Sequence, residues 1–224
     1  MKKAIAILLS LTMFLGLAAC GNSASQTEQP STEDTSVESK ADTESAETST
    51  NMENTDNQDA QEHKILVAYF SATGTTKGVA EHIANGLNAD IYEIVPEEPY
   101  TDADLDYNDN NSRTTIEMND PDARPVISGS VENMEQYDTV FIGYPIWWGE
   151  APRIASTFME SYDFSGKTIV PFCTSGGSGI GSSASNLEHL TSGATWLDGR
   201  RLNGSDSQDT VMEWVNSLDL NLGK

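Results

Sequence analysis

Apolar and polar positions alternate along this chain in blocks of two kinds. Ile65-Leu66-Val67-Ala68-Tyr69-Phe70 is an unbroken apolar run of strand length, the pattern of a strand covered on both faces. Val79, Ala80, Ile83, Ala84 and Leu87 follow at helical spacing and predict a helix that ends near Asn88. The alternation then repeats. Ala89 to Val95 reads as a second strand, and Thr139 to Tyr144 as a third, with a helix from about Arg153 to Tyr162 after it. Thr168 to Cys173 is the fourth strand, followed by a helix from about Ser182 to Leu190. Thr195-Trp196-Leu197 makes a short fifth strand, and Asp209 to Leu218 closes as a helix. Such alternation predicts an α/β domain, with a parallel sheet and helices on both faces.

Residues 96–136 break the rhythm. They are polar, contain Pro96, Pro99, Pro121 and Pro125, and have room only for a short helix near Asp104 to Met118. A connection this long inside a compact domain is often functional.

In an open α/β sheet, ligands bind beyond the carboxyl ends of the strands. Three segments fall there: Ser71-Ala72-Thr73-Gly74-Thr75-Thr76, Pro145-Ile146-Trp147-Trp148-Gly149-Glu150 and Thr174-Ser175-Gly176-Gly177-Ser178-Gly179. The first is dense in hydroxyls and opens on a helix N-terminus, where amides and the helix dipole favour an anion such as phosphate. An ATPase loop would need Gly-Lys-Ser/Thr after a longer glycine loop, and Gly74-Thr75-Thr76-Lys77 is not that motif. An aromatic loop and a glycine loop beside a phosphate loop suit a flat ring that carries a phosphate.

These segments resemble the flavodoxin family over residues 64–219. Ser71-x-Thr73-Gly74-x-Thr76 is similar to the family's FMN phosphate loop, and Tyr144 to Gly149 and Thr174 to Gly179 to the two loops around the flavin ring. The resemblance implies a flavodoxin-like, doubly wound, five-stranded parallel sheet in the order 2-1-3-4-5. It also implies non-covalent FMN as cofactor and a role in electron transfer, as a carrier or as a reductase using NAD(P)H or a quinone. The implied cofactor residues are Ser71, Thr73, Gly74, Thr75, Thr76, Pro145, Ile146, Trp147, Trp148, Gly149, Thr174, Ser175, Gly176, Gly177 and Gly179. Adjacent Trp147 and Trp148 point in different directions, so one is expected to pack and the other to meet the ring. By its place in the loop, Trp147 is expected at the ring. Electron-carrier flavodoxins usually add an aromatic from the third loop, and Thr174 to Ser183 contains none. One ring face is therefore expected to be covered by small residues or left open to a small donor, unless Tyr100 or Tyr107 closes it. No residue is singled out as a general acid, base or nucleophile.

The N-terminus alters where this domain is expected to work. Lys2 and Lys3 precede an apolar run from Ala4 to Ala19 that ends in Leu17-Ala18-Ala19-Cys20-Gly21. This resembles the lipobox of bacterial lipoprotein signal peptides, implying cleavage after residue 19, lipidation of Cys20 and anchoring outside the cytoplasmic membrane. Gly21 to about Glu62 is Ser, Thr, Asn, Gln and acid, too polar to fold, and as a coil would reach roughly 35 Å. The folded domain is then expected over residues 63–224.

Charge removes some partners. The chain has 35 Asp and Glu against 12 Lys and Arg, a formal net charge of −23. The excess persists beyond residue 63, which argues against nucleic acid and anionic lipid and permits a basic redox partner. The membrane is expected to be met through the lipid anchor alone. His63, His82 and His189 are scattered and predict no metal site. Ser192-Gly193-Ala194-Thr195 lacks the acid that covalent flavin attachment requires before the Ser, since His189 stands there. Cys173, at a strand end, is expected to be a buried inert thiol.

Overall fold

The computed structural model describes residues 63–218 and 220. The expected leader, Cys20 and the linker to residue 62 lie outside the described residues. In β1 (Ile65–Tyr69) every residue is buried, and alternate side chains enter different cores. Leu66 and Ala68 join one apolar cluster, while Ile65, Val67 and Tyr69 join the other. Strand geometry makes this unavoidable for a strand covered on both sides, and the continuous apolar run is its sequence counterpart.

The elements follow in chain order. After β1 come α1 (Thr75–Leu87), β2 (Asp90–Glu93), β3 (Val95–Pro96), α2 (Arg113–Asn119) and β4 (Ile127–Ser128). Then come β5 (Thr139–Pro145), α3 (Arg153–Glu160), β6 (Thr168–Thr174), α4 (Ser183–Glu188), β7 (Thr195–Trp196), β8 (Arg200–Leu202) and α5 (Gln208–Ser217). The main sheet runs β2-β1-β5-β6-β7 with parallel pairings throughout. Counting its strands along the chain gives the expected order 2-1-3-4-5. Val79, Ala80 and Ile83 of α1 pack with Val211, Trp214 and Val215 of α5 on one face. Ile154, Phe158 and Met159 of α3 and Leu187 of α4 cover the other. Helix α1 ends where Asn88 takes a left-handed conformation (φ 51°) and its N–H reaches Ala84 O.

Three details differ from the sequence reading. The second strand stops at Glu93, and Val95–Pro96 turns away to pair antiparallel with β4. The helix expected from Asp104 is confined to Arg113–Asn119, capped by Ser112, whose Oγ accepts from Thr115 N. Upstream, Asp104 accepts from Thr101 N, Asp106 from Asn108 N and Asp109 from Asn111 N, so side chains hold turns where a helix would need free amides.

The fifth strand is two pieces, β7 and β8, both parallel to β6. Their registers differ by one residue, and the break faces Pro171. Ile169 O accepts from Leu197 N on this edge, so two residues on, the N–H that Pro171 lacks falls on the same edge. Gly199 fills the gap, since a Cβ there would lie 2.8 Å from Pro171 O.

Candidate functional site

β1, β5 and β6 are neighbours, so the segments that follow them emerge side by side at the carboxyl edge of the sheet. The strand order reverses at β1, which places a crevice between its loop and the next. A cleft of about 320 Å³ opens there. Ser71, Thr73, Thr75 and Thr76 line it from the first loop, Pro145, Ile146 and Trp147 from the second, and Thr174, Ser175 and Gly176 from the third. Gly74, Trp148, Gly149, Gly177 and Gly179 belong to the same loops and stand outside the lining. Ala72, Leu105 and Tyr107 complete it. Ala72 and Leu105 escaped the sequence reading, because a small residue in a hydroxyl loop and one leucine in a polar stretch carry no periodic signal.

The first loop turns on Gly74, which has φ 84° and precedes the first turn of α1. Gly74 supplies no side-chain cap and the turn has no acidic residue, so the Thr75 and Thr76 amides are available to an outside acceptor. Ser71 Oγ accepts from Lys77 N at 3.2 Å, which leaves its O–H able to donate. Thr76 is buried, and its hydroxyl lies 2.8 Å from that of Thr174. Lys77 does not face the cleft lining: its Nζ lies 3.4 Å from Glu93 Oε2, which also accepts from Tyr69 OH at 2.9 Å. The cleft lining holds no charged side chain. Donors for an anion are therefore amides and hydroxyls.

The second loop is a two-residue turn. Trp147 N donates to Glu150 O and Glu150 N to Trp147 O, each at 2.9 Å, with Trp148 at φ 49° and Gly149 at φ 83°. Two positive φ values in succession define a type I′ turn, which favours Asn-Gly and is strained with Trp in first place. The turn sends the two tryptophans apart. Trp147 is buried, edge-on to Phe70 at 5.5 Å and to Tyr100 at 5.3 Å, while Trp148 is 44% exposed. Trp147 both packs and lines the cleft, while Trp148 stands outside the lining. Glu150 ties the turn to α4 by accepting from Ser182 Oγ (3.1 Å) and Asn186 Nδ2 (2.6 Å).

In the third loop Ser175 Oγ donates to Ser178 O and accepts from Gly177 N at 3.3 Å. Arg201 of β8 donates through Nη2 to Ser175 O at 3.3 Å and to Asn203 Oδ1 at 2.8 Å, and its buried Nε has no partner. Tyr144 and Cys173 sit below these loops. Burial pushes the Cys173 thiol up to about 12, with Arg201 opposing, so it is no nucleophile at neutral pH. Among the described residues no cluster suits a metal ion.

The connection 97–126 is anchored against the second loop. Tyr100 OH donates to Glu117 Oε2 at 2.6 Å, Arg113 Nε donates to Glu117 Oε1 at 2.7 Å, and the guanidinium lies 4.2 Å from the Tyr100 ring centre. Burial first, then the Glu117 carboxylate, holds the Tyr100 phenol far above its ordinary range. Tyr100 is thereby committed to packing, and Tyr107 is the aromatic that this connection supplies to the cleft.

The family model described as Flavodoxin matches residues 64–218. A candidate flavoprotein from Bacteroides eggerthii DSM 20697 is 49% identical over 70% of this chain and 99% of its own, with a TM-score of 0.67. One from Bacteroides uniformis ATCC 8492 is 46% identical over 69% of this chain and 99% of its own, also with a TM-score of 0.67. A flavoprotein from Lactobacillus acidophilus NCFM, solved in complex with FMN, is 23% identical over 68% of this chain and 99% of its own. Its TM-score is 0.52, a likeness of fold. No match was found among curated proteins.

Proposed function

Because this chain belongs to the flavodoxin family, we propose that its three carboxyl-edge loops hold FMN non-covalently and that the protein works in electron transfer. The observation that carries the reading is the uncharged cradle at α1, which offers amides and hydroxyls with no acid in the first turn. A phosphate bound there is satisfied by donors and by the helix dipole, worth roughly 0.3–1 kcal/mol. The flavin complex of the Lactobacillus fold relative supports FMN as the flavin. Bound FMN would supply the redox chemistry, while the chain binds, orients and shields it. Hydroxyl, apolar, aromatic and glycine residues make up the lining, with no carboxylate, imidazole or amine among them.

Electron carriage is the first reading, supported by an acidic chain that suits a basic redox protein. An FMN-dependent reductase of quinones or NAD(P)H is the second reading, carried by the absence of an aromatic from Thr174 to Ser183. We further propose, from the leader sequence, that the protein is exported and anchored outside the membrane through lipidated Cys20. Equilibrium titration of the apoprotein with FMN, FAD and riboflavin tests the cofactor. FMN should bind most tightly, and equal affinity for riboflavin would remove the phosphate from the account.

A further inference from the structure

Leu105 and Tyr107 enter the cleft from the 97–126 connection, and the reading above gives neither a task. Tyr107 is 69% exposed, and its aromatic neighbour is Trp148, edge-on at 5.8 Å. A large ring left this open gains little from folding, and a flat ligand beside it would take that surface out of water. The backbone beneath it is fixed. Thr114 Oγ1 donates to Asp104 O at 2.6 Å and Thr115 Oγ1 to Asp109 O at 3.0 Å, which ties the loop to α2 on both sides of Tyr107. Tyr107 thus stands on a held loop at the mouth of the cleft, whereas the third loop supplies no aromatic.

We propose that Tyr107 is the wall of the ring site that the third loop lacks, and that it determines which electron donor reaches the ring. The inference rests on the FMN reading. A tyrosine lying on the outer face of the ring occupies the place where a nicotinamide would have to stack. Asp102, Asp104, Asp106 and Asp109 on the same loop oppose a phosphorylated dinucleotide, and no cation lines the cleft to offset them. The nearby bases are engaged: Arg113 by Glu117, Glu98 O and the Tyr100 ring, Lys77 by Glu93, and Arg201 through Nη2 by Ser175 O and Asn203 Oδ1. Exchange of electrons with another redox protein would then be favoured over reduction by a dinucleotide.

The test compares the protein with Tyr107→Ala and Tyr107→Phe, by flavin titration, by the emission of bound flavin, and by NADH and NADPH oxidation. A tyrosine stacked on a flavin quenches its emission. In Tyr107→Ala the Kd should rise roughly three- to tenfold for FMN and for riboflavin alike, as for loss of an aromatic pair. Bound-flavin emission should increase, and oxidation of the dinucleotides should appear or accelerate. Tyr107→Phe should restore the affinity. Because the side chain is exposed, neither variant threatens the fold. Unchanged affinity and emission in Tyr107→Ala would overturn the role of Tyr107 while leaving FMN in place. Failure of the unaltered protein to bind any flavin would overturn the FMN reading itself.

Discussion

The hydroxyls of Thr76 and Thr174 lie 2.8 Å apart in a buried position, although 98 residues separate them along the chain. One opens α1 and the other closes β6, so this bond joins the first cleft loop to the third. Ser71, by contrast, keeps a hydroxyl proton free for a ligand. The two should therefore respond differently. Ser71→Ala should weaken FMN by about 1.5–3 kcal/mol, the range for a hydrogen bond to a charged group, and leave riboflavin almost unaffected. Thr76→Val keeps the shape but strands the Thr174 hydroxyl, and should cost about 1–3 kcal/mol of stability. Titration with both flavins, beside urea unfolding, separates the cases. A riboflavin loss as large as the FMN loss in Ser71→Ala would move the phosphate elsewhere.

The tryptophan pair makes an opposite forecast for neighbouring residues. Trp148 sits at φ 49° in a turn that prefers Asn-Gly, a conformation costing a non-glycine residue about 1–2 kcal/mol. Trp148→Asn should raise stability by about 1 kcal/mol even though it removes an aromatic ring. Trp147→Ala should cost about 3–5 kcal/mol, because Trp147 is buried among Phe70 and Tyr100. Denaturant midpoints of the two variants should thus move apart. A loss above 1 kcal/mol for Trp148→Asn would mean that its ring contributes more than its backbone costs.

How much of this was legible beforehand depends on burial. β1 and β6 are buried nearly throughout, and their apolar runs reveal them. β8 reads Arg200-Arg201-Leu202 with only Leu202 buried, so an edge strand of this kind leaves no pattern to follow. The site divides in the same way. The first and third loops announce themselves through hydroxyls and glycines. Leu105 reaches the cleft because Asp104, Asp106 and Asp109 turn the chain there, a tertiary consequence of side chains that the sequence shows only as polar. Arg201 was hidden for a related reason, since its contact with Ser175 depends on the register of a strand that was not foreseen.

Cys173 gives a pH forecast. Burial lifts its pKa to about 12, above the value near 8.5 expected in the unfolded chain. Between those values the unfolded state has released a proton that the folded state retains. The stabilisation is therefore complete below about pH 8.5 and declines as pH rises towards 12. Cys173→Ala should flatten this part of the stability profile, and a thiol reagent at pH 8 should label Cys173 only as fast as the protein opens. Rapid labelling of the folded protein would show the thiol to be accessible.

The proposed anchor has a simple check. Two acyl chains on Cys20 are enough for stable membrane attachment where one is marginal. Cys20→Ser should shift the mature protein from the membrane fraction to the soluble fraction, or leave the leader uncleaved. A processed variant that stays in the membrane fraction would mean that Cys20 is not the anchor.

Glu117 is the residue on which the long connection turns. Its two carboxylate oxygens are divided between Tyr100 OH and Arg113 Nε, and Tyr100 in turn lies against Trp147 of the second cleft loop. The neutral isostere can serve both only if the Tyr100 hydroxyl turns round to accept. In Glu117→Gln one oxygen becomes an NH₂ group that can only donate, and the charge that holds the guanidinium over the Tyr100 ring is lost. A partly buried ionic hydrogen bond of this kind is worth about 1.5–3 kcal/mol. The loss should stay largely local, because β1 and β6 are each held by ladder pairing to β5 as well as by the core they share with Tyr100. Amide exchange should therefore accelerate in 97–126 and remain unchanged in β1 and β6. FMN affinity should fall as well, since Tyr107 depends on the same segment for its position. Exchange that rises equally throughout the domain would instead make Glu117 part of the global core, and unchanged exchange would show that the two hydrogen bonds do not hold the connection.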